Sequence, residues 1–191
     1  MLDALVAIIA ERGLDQVSIR EVAAAADVSI GTVQYYCRSK DEMLLMAWEY
    51  TADKIVGRVA AIARTGPVAS AVRGVILELL PLDETRTAES RIYLAFAARA
   101  AVSAPLADVQ NRLLTRLRAD LAQAFQQAKD TGEADPGLDP ALAAATTAAL
   151  TDGLLLHLLT DPAGLPPGAA VAALDAHLAR YLAAGRKEAT C

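Results

Sequence analysis

Two kinds of chemistry are packed into residues 29–43, SIGTVQYYCRSKDEM. The start is small and hydroxylated. Ser29, Gly31 and Thr32 let a backbone approach another surface closely and turn its amides toward phosphate. Gln34 pairs an acceptor with donors, the combination that bonds the edge of adenine in the major groove. Ile30 and Thr32 carry methyl groups suited to a thymine methyl. Tyr35, Tyr36 and Lys40 supply hydroxyl and ammonium donors for phosphate oxygens. Residues 28–40 contain no acid, as a surface facing a polyanion requires.

These side chains need short helices to hold them. Residues 2–13 repeat apolar positions at helical spacing and end on Gly13. Ser18, with Glu21 three residues later, is a capping box that opens a second helix of about two turns. Ser18, at the mouth of that helix, is also a candidate DNA contact. After the break at Asp27–Ser29, Ser29 caps a third short helix running to Tyr36. Ser39 caps a fourth, with Asp41 and Glu42 in its first turn and an end near Arg64. Two short helices across a three-residue break, packed on a preceding helix, describe a helix-turn-helix whose second helix enters the major groove. A helical hairpin with a tyrosine-bearing end also serves as plain structure. An all-α scaffold or adaptor without DNA binding is the alternative reading. Cys37 is expected to plug a small gap in the packing.

Downstream, Thr65–Pro67 breaks the chain, and helices are expected over about 68–80 and from Asp83 to about Val102. A long helix over 104–131 closes at Gly132, with Asp108, Arg112, Arg116, Arg118 and Asp120 marking its exposed face. Asp139 caps and Pro140 starts a helix to about 160. The last helix is expected over about 168–185. The fold class is all-α: a three-helix head and a six-helix bundle, divided as residues 1–45 and 46–191.

Composition agrees. The chain has 191 residues, 54% of them apolar, and only 4% aromatic. Ala and Leu dominate, and both favour helix. The formal net charge of −5 excludes a general nucleic-acid coat and leaves room for a local contact surface. Residues 141–160 match a membrane span in length, but Asp152 and His157 make them a buried helix, so no membrane is expected. No signal sequence is expected, since Asp3 interrupts the start and no basic segment precedes it. Cys37 and Cys191 lie too far apart to suggest a disulfide framework or a zinc motif, which suits a reducing cytoplasm. Two histidines, no nucleophile elbow and no phosphate loop argue against an enzyme, a metal site or a cofactor.

Residues 11–44 resemble the tetracycline-repressor (TetR) family of bacterial transcription regulators. The resemblance rests on Gly13, Ser18, Val28, Ser29, Gly31, Thr32, Tyr35, Tyr36, Ser39, Lys40, Glu42 and Leu44. Asp27 stands where glycine is common, and Cys37 where phenylalanine is common. A basic N-terminal arm is usual in the family; this chain starts almost at its first helix, so an arm contact is either absent or carried by residues outside this sequence. Residues 94–110 and 150–159 look like the sensor domain of the betaine-regulator branch.

The resemblance implies a repressor that binds palindromic double-stranded operator DNA as a homodimer and is released by a small-molecule effector. It implies a dimer interface on the last two long helices, where Leu150, Leu154, His157 and Leu158 form one stripe and Leu174, Leu178 and Tyr181 belong to another. It also implies an apolar pocket in the body, with Tyr93, Phe96, Arg99 and Phe125 as candidates. An inward-facing Arg99 would select an anionic or carbonyl ligand. The implied mechanism is a population shift. Two heads spaced near one DNA turn, about 34–36 Å, separate when effector binds, with a coupling of about 1–3 kcal/mol.

Overall fold

The computed structural model describes residues 1–62 and 67–182. The described residues form nine α-helices: α1 Leu2–Arg12, α2 Ile19–Ala25, α3 Ile30–Tyr36, α4 Lys40–Ile62, α5 Val68–Glu78, α6 Glu84–Ala100, α7 Ala104–Asp130, α8 Pro140–Thr160 and α9 Pro167–Leu178. The all-α reading holds. A short 3-10 turn, Leu14–Gln16, follows α1 and has no clear signal in the sequence. The expected end of α4 at Arg64, the break at Thr65 and Gly66, residues 183–185 of the last helix and Cys191 lie outside the described residues.

The chain folds into two compact units. The first is residues 1–57 with 81–112, the second 58–80 with 113–191.

In the first unit α1 packs against α2 and α6, and α2 against α3. Leu5, Ile9, Val17, Val22, Val33 and Leu44 form its buried centre. Burying each of these side chains contributes about 1.5–3 kcal/mol. Polar links reinforce the packing. The Arg91 guanidinium on α6 donates to the Ala10 carbonyl near the end of α1, at 3.1 Å. Tyr50 Oη donates to the Asp3 carboxylate at 2.6 Å and ties α4 to α1. Gly13 ends α1 with φ at 79°, a conformation that costs glycine little.

In the second unit α9 packs against α5 and α8. Arg73 holds Asp175 through two bonds of 2.6 and 3.1 Å. His177 Nε2 lies 2.9 Å from Oγ1 of the fully buried Thr147. Of the described helices, only α8 is long and apolar enough to cross a membrane. Here it buries a stripe that includes Ala144, Thr147, Thr151, Leu154 and Leu158. The last helix is shorter than expected. α9 ends at Leu178, because the bonds tighten: Arg180 donates to His177 and Tyr181 to Leu178, each three residues back. Leu182 then pairs with Ala134 as an isolated bridge.

Two predictions follow from these placements. Asp27 holds a left-handed backbone at φ 51°. Asp27→Gly should raise the thermal midpoint, and Asp27→Val should cost about 1–2 kcal/mol, both measurable by circular dichroism. Burial, followed by the charge of Arg180, lowers the pKa of His177 below its ordinary 6.5. The unfolded chain therefore binds the proton first as pH falls, so this stability is full above about pH 6.5 and fades below it. Thermal midpoints should drop from about pH 7 to about pH 5, and His177→Gln should flatten that drop.

Candidate nucleic-acid interface

The interface begins with two capped helix starts. Ser18 Oγ accepts the Glu21 amide at 3.2 Å and donates to the Glu21 carboxylate at 2.9 Å. The amide half of the capping box is thus made, and the Glu21 carboxylate turns back onto the Ser18 hydroxyl. Ser29 Oγ accepts the Thr32 amide at 3.0 Å and lies 2.8 Å from Thr32 Oγ1. Between the helices Val28 N–H reaches back to the Ala23 carbonyl at 3.0 Å across left-handed Asp27. That six-to-one bond is a Schellman ending, and it turns the chain into α3. Asp27 fills the position without a glycine, because a short polar side chain tolerates the conformation.

α3 is anchored from one side only. Val33 is 0% exposed, and Cys37, one turn on, is buried. Ser29, Ile30, Gly31, Thr32, Gln34, Tyr35 and Tyr36 are all exposed. Tyr35 is 79% exposed and Tyr36 57%, their rings meeting edge to face at 5.2 Å. Tyrosines this open are not the end of a helix tucked into a core. Ile30 is a third large apolar side chain exposed on the same short helix. The three leave an apolar and aromatic patch open on one face of α3.

Two positions differ from what the sequence suggested. Lys40 Nζ donates to the Asp15 carbonyl at 2.6 Å, so it straps α4 to the turn after α1. An ammonium has three donors, and Lys40 is exposed, so it can also meet a phosphate. Arg99 does not face inward. It is half exposed and pairs with Asp41 at 2.8 Å. Asp41 also accepts from Ser103 Oγ at 3.1 Å. The Arg99 bond, then that of Ser103, holds the Asp41 carboxyl below its ordinary pKa.

The other candidate ligand residues divide. Tyr93 and Phe96 gather on Trp48 in the first unit, with ring centroids 5.3 and 5.7 Å from it. Phe125 is fully buried in the second unit against Tyr181, at 5.7 Å. Trp48 was not anticipated, although its spacing from Leu44 and Thr51 on the buried face of α4 could have revealed it. Gln110 was missed as well: it sits between the exposed Asp108 and Arg112, yet its amide donates to Tyr93 Oη at 3.2 Å. Of the interface stripes, Leu154, Leu158, Leu174 and Leu178 are buried within the chain, and Leu174 has no accessible surface. Leu150 and Tyr181 are half-buried, and His157 is exposed. The large apolar side chains that α8 leaves open are Leu142 and Leu156. Among the described residues no group of His, Cys, Asp and Glu could hold a metal ion.

Comparison with known proteins bears on both units. Residues 1–47 match the family described as bacterial regulatory proteins, tetR family. Residues 68–183 match the BetI-type transcriptional repressor, C-terminal family. The HTH-type transcriptional regulator PksA of Bacillus subtilis (strain 168) is 32% identical over 94 residues, 49% of this chain. That match spans about half of PksA, 46% of its length. The crystal structure of a transcriptional regulator from Rhodococcus sp. Rha1 is 37% identical, with a TM-score of 0.81 over 93% of this chain and 91% of that one. A protein from Saccharomonospora viridis, solved in complex with choline, shares the fold at 21% identity, with a TM-score of 0.82 over 95% of each chain.

Cys37 gives the local test of this geometry. Its Sγ lies 3.5 Å from the Val33 carbonyl, and burial, followed by the charge of Glu42, raises its pKa. The native thiol should resist iodoacetamide at about pH 7.5, and denaturant should expose it, as read by mass spectrometry of the peptide. Cys37→Ala should cost about 1 kcal/mol through the space it leaves.

Proposed function

The chain belongs to the tetR family of bacterial regulatory proteins and carries a BetI-type repressor C-terminal domain; from that premise we propose that it is a cytoplasmic repressor, not an enzyme, which binds palindromic operator DNA as a homodimer. The observation that carries this reading is the exposed face of α3: Ile30, Gly31, Thr32, Gln34, Tyr35 and Tyr36, with Ser29 at the cap, contain no acid and are seated on buried Val33. Residues 1–45 read DNA, and residues 46–191 bind ligand and dimerise. Gln34, Ile30 and Thr32 meet base edges, while Ser29, Gly31, Tyr35, Tyr36 and Lys40 meet the backbone. Ser18 acts from its capped turn. A seven-residue helix covers one half-site, so two copies are needed for a palindrome.

Dimerisation uses the outer surface of α8 and α9, with His157, Leu150 and Tyr181 at that surface. Leu154, Leu158, Leu174 and Leu178 shape it from behind. A small molecule in the body, near Tyr93 and Phe96, shifts the dimer toward a conformer that lets go of DNA.

A gel shift on the DNA upstream of its own gene tests the proposal. A sharp complex is expected, resistant to random competitor and weakened steeply by salt. If no sequence outcompetes random DNA, the reading fails. Tyr36→Ala should weaken every sequence alike. Gln34→Ala should relax preference at one base pair by about 1–3 kcal/mol. Equal behaviour of the two variants would overturn their assigned roles.

A further inference from the structure

One amide oxygen in the first unit stands out. Gln110 Oε1 is sealed from solvent and has no hydrogen-bond partner, alone among the described side chains. Its own Nε2 is occupied by Tyr93 Oη at 3.2 Å. A sealed acceptor without a donor is costly, and proteins keep few of them. Its surroundings are aromatic. Tyr93 lies against Trp48, with the rings tilted by 49°, and Trp48 stacks on Phe96 at 25°. Arg99, the nearby cation on α6, is already taken by Asp41. The neighbourhood thus offers flat apolar faces and one unmet acceptor, with no spare guanidinium on Arg99 for a carboxylate.

We infer that Gln110, Tyr93, Trp48 and Phe96 form a ligand site for a flat, largely apolar molecule bearing a hydroxyl donor, which Gln110 Oε1 receives. Trp48 or Tyr93 turns to admit the ring, and the hydroxyl completes the amide's bonds. This inference rests on the effector-responsive reading and gives that effector a chemical class. It also gives the signal a route within one compact unit. Trp48 lies two turns along α4 from Asp41, and Phe96 one turn along α6 from Arg99. A guest that parts Trp48 from Phe96 therefore works on the Asp41–Arg99 pair at the start of α4.

Trp48 is the chain's single tryptophan, so its fluorescence reports this site alone. The intact protein is titrated with 4-propylphenol and with 4-propylanisole, which keeps the ring and lacks the donor. The phenol should change Trp48 emission saturably, and the anisole should bind about tenfold more weakly, the worth of one hydrogen bond to a sealed acceptor. Gln110→Leu, and Gln110→Met as a second variant, should erase that difference while circular dichroism stays native. Equal responses to the two compounds, a difference that survives both variants, or no saturable response would overturn the inference. The operator gel shift is run in parallel. An intact operator complex with no phenol response counts against the site alone. A Gln110-dependent response in a protein that selects no operator counts against the regulator reading alone.

Discussion

Val33 has no accessible surface, and a helix of seven residues has room for only one buried stripe. With Val33 and Cys37 committed inward, the rest of α3 must face solvent. That constraint turns an ordinary mixture of residues into a surface. It also explains why the helix can be so short. A helix of two turns is not stable alone in water, and here a buried valine and a well-made start sustain it. Ser29 satisfies an amide at the start, and the Asp27 turn hands the chain over from α2 in a fixed direction.

Around that helix the polar links do positioning work. Lys40, Tyr50 and Arg91 each join segments distant in sequence through a single donor. Exposed pairs of this kind add little stability individually. Their value is geometric, because each fixes the angle at which one helix leaves another. Asp41 carries two such bonds, from Arg99 and Ser103, so α4 starts at a defined place on α6 and the residue before α7. The same network spends an arginine that sequence reading had reserved for a ligand.

The helices were legible because their ends are chemically marked. Ser18, Ser29, Ser39 and Asp139 all accept backbone amides where their spacing implied caps, and Asp83, expected only as a helix start, accepts one too. The exposed face of α3 was legible for the same reason, since a capped short helix has a known register. Side-chain partners across helices were not. Nothing local distinguishes Arg99 turned toward Asp41 from Arg99 turned into a pocket. Leu154 and Leu174 look alike whether they pack against their own chain or a second copy, and only burial shows that the chain itself covers them. Gln110 was hidden by its charged neighbours. The end of α9 was missed because Ala179–Leu182 reads as good helix, and the bridge from Leu182 to Ala134, which draws the chain away, is a long-range pairing.

The first compact unit is discontinuous in sequence, made of residues 1–57 and 81–112. α1 packs against α6, and Arg91 on α6 bonds the Ala10 carbonyl. A gene fragment ending after α4 would strip α1 of the helix it leans on. The reading head is therefore not a cassette that recombination can lift out in one cut. A head moved onto another sensor must bring α6 with it, or find there a helix with an arginine at the matching turn. Descent by duplication and gradual change keeps that pairing intact, whereas a single crossover between reader and sensor breaks it.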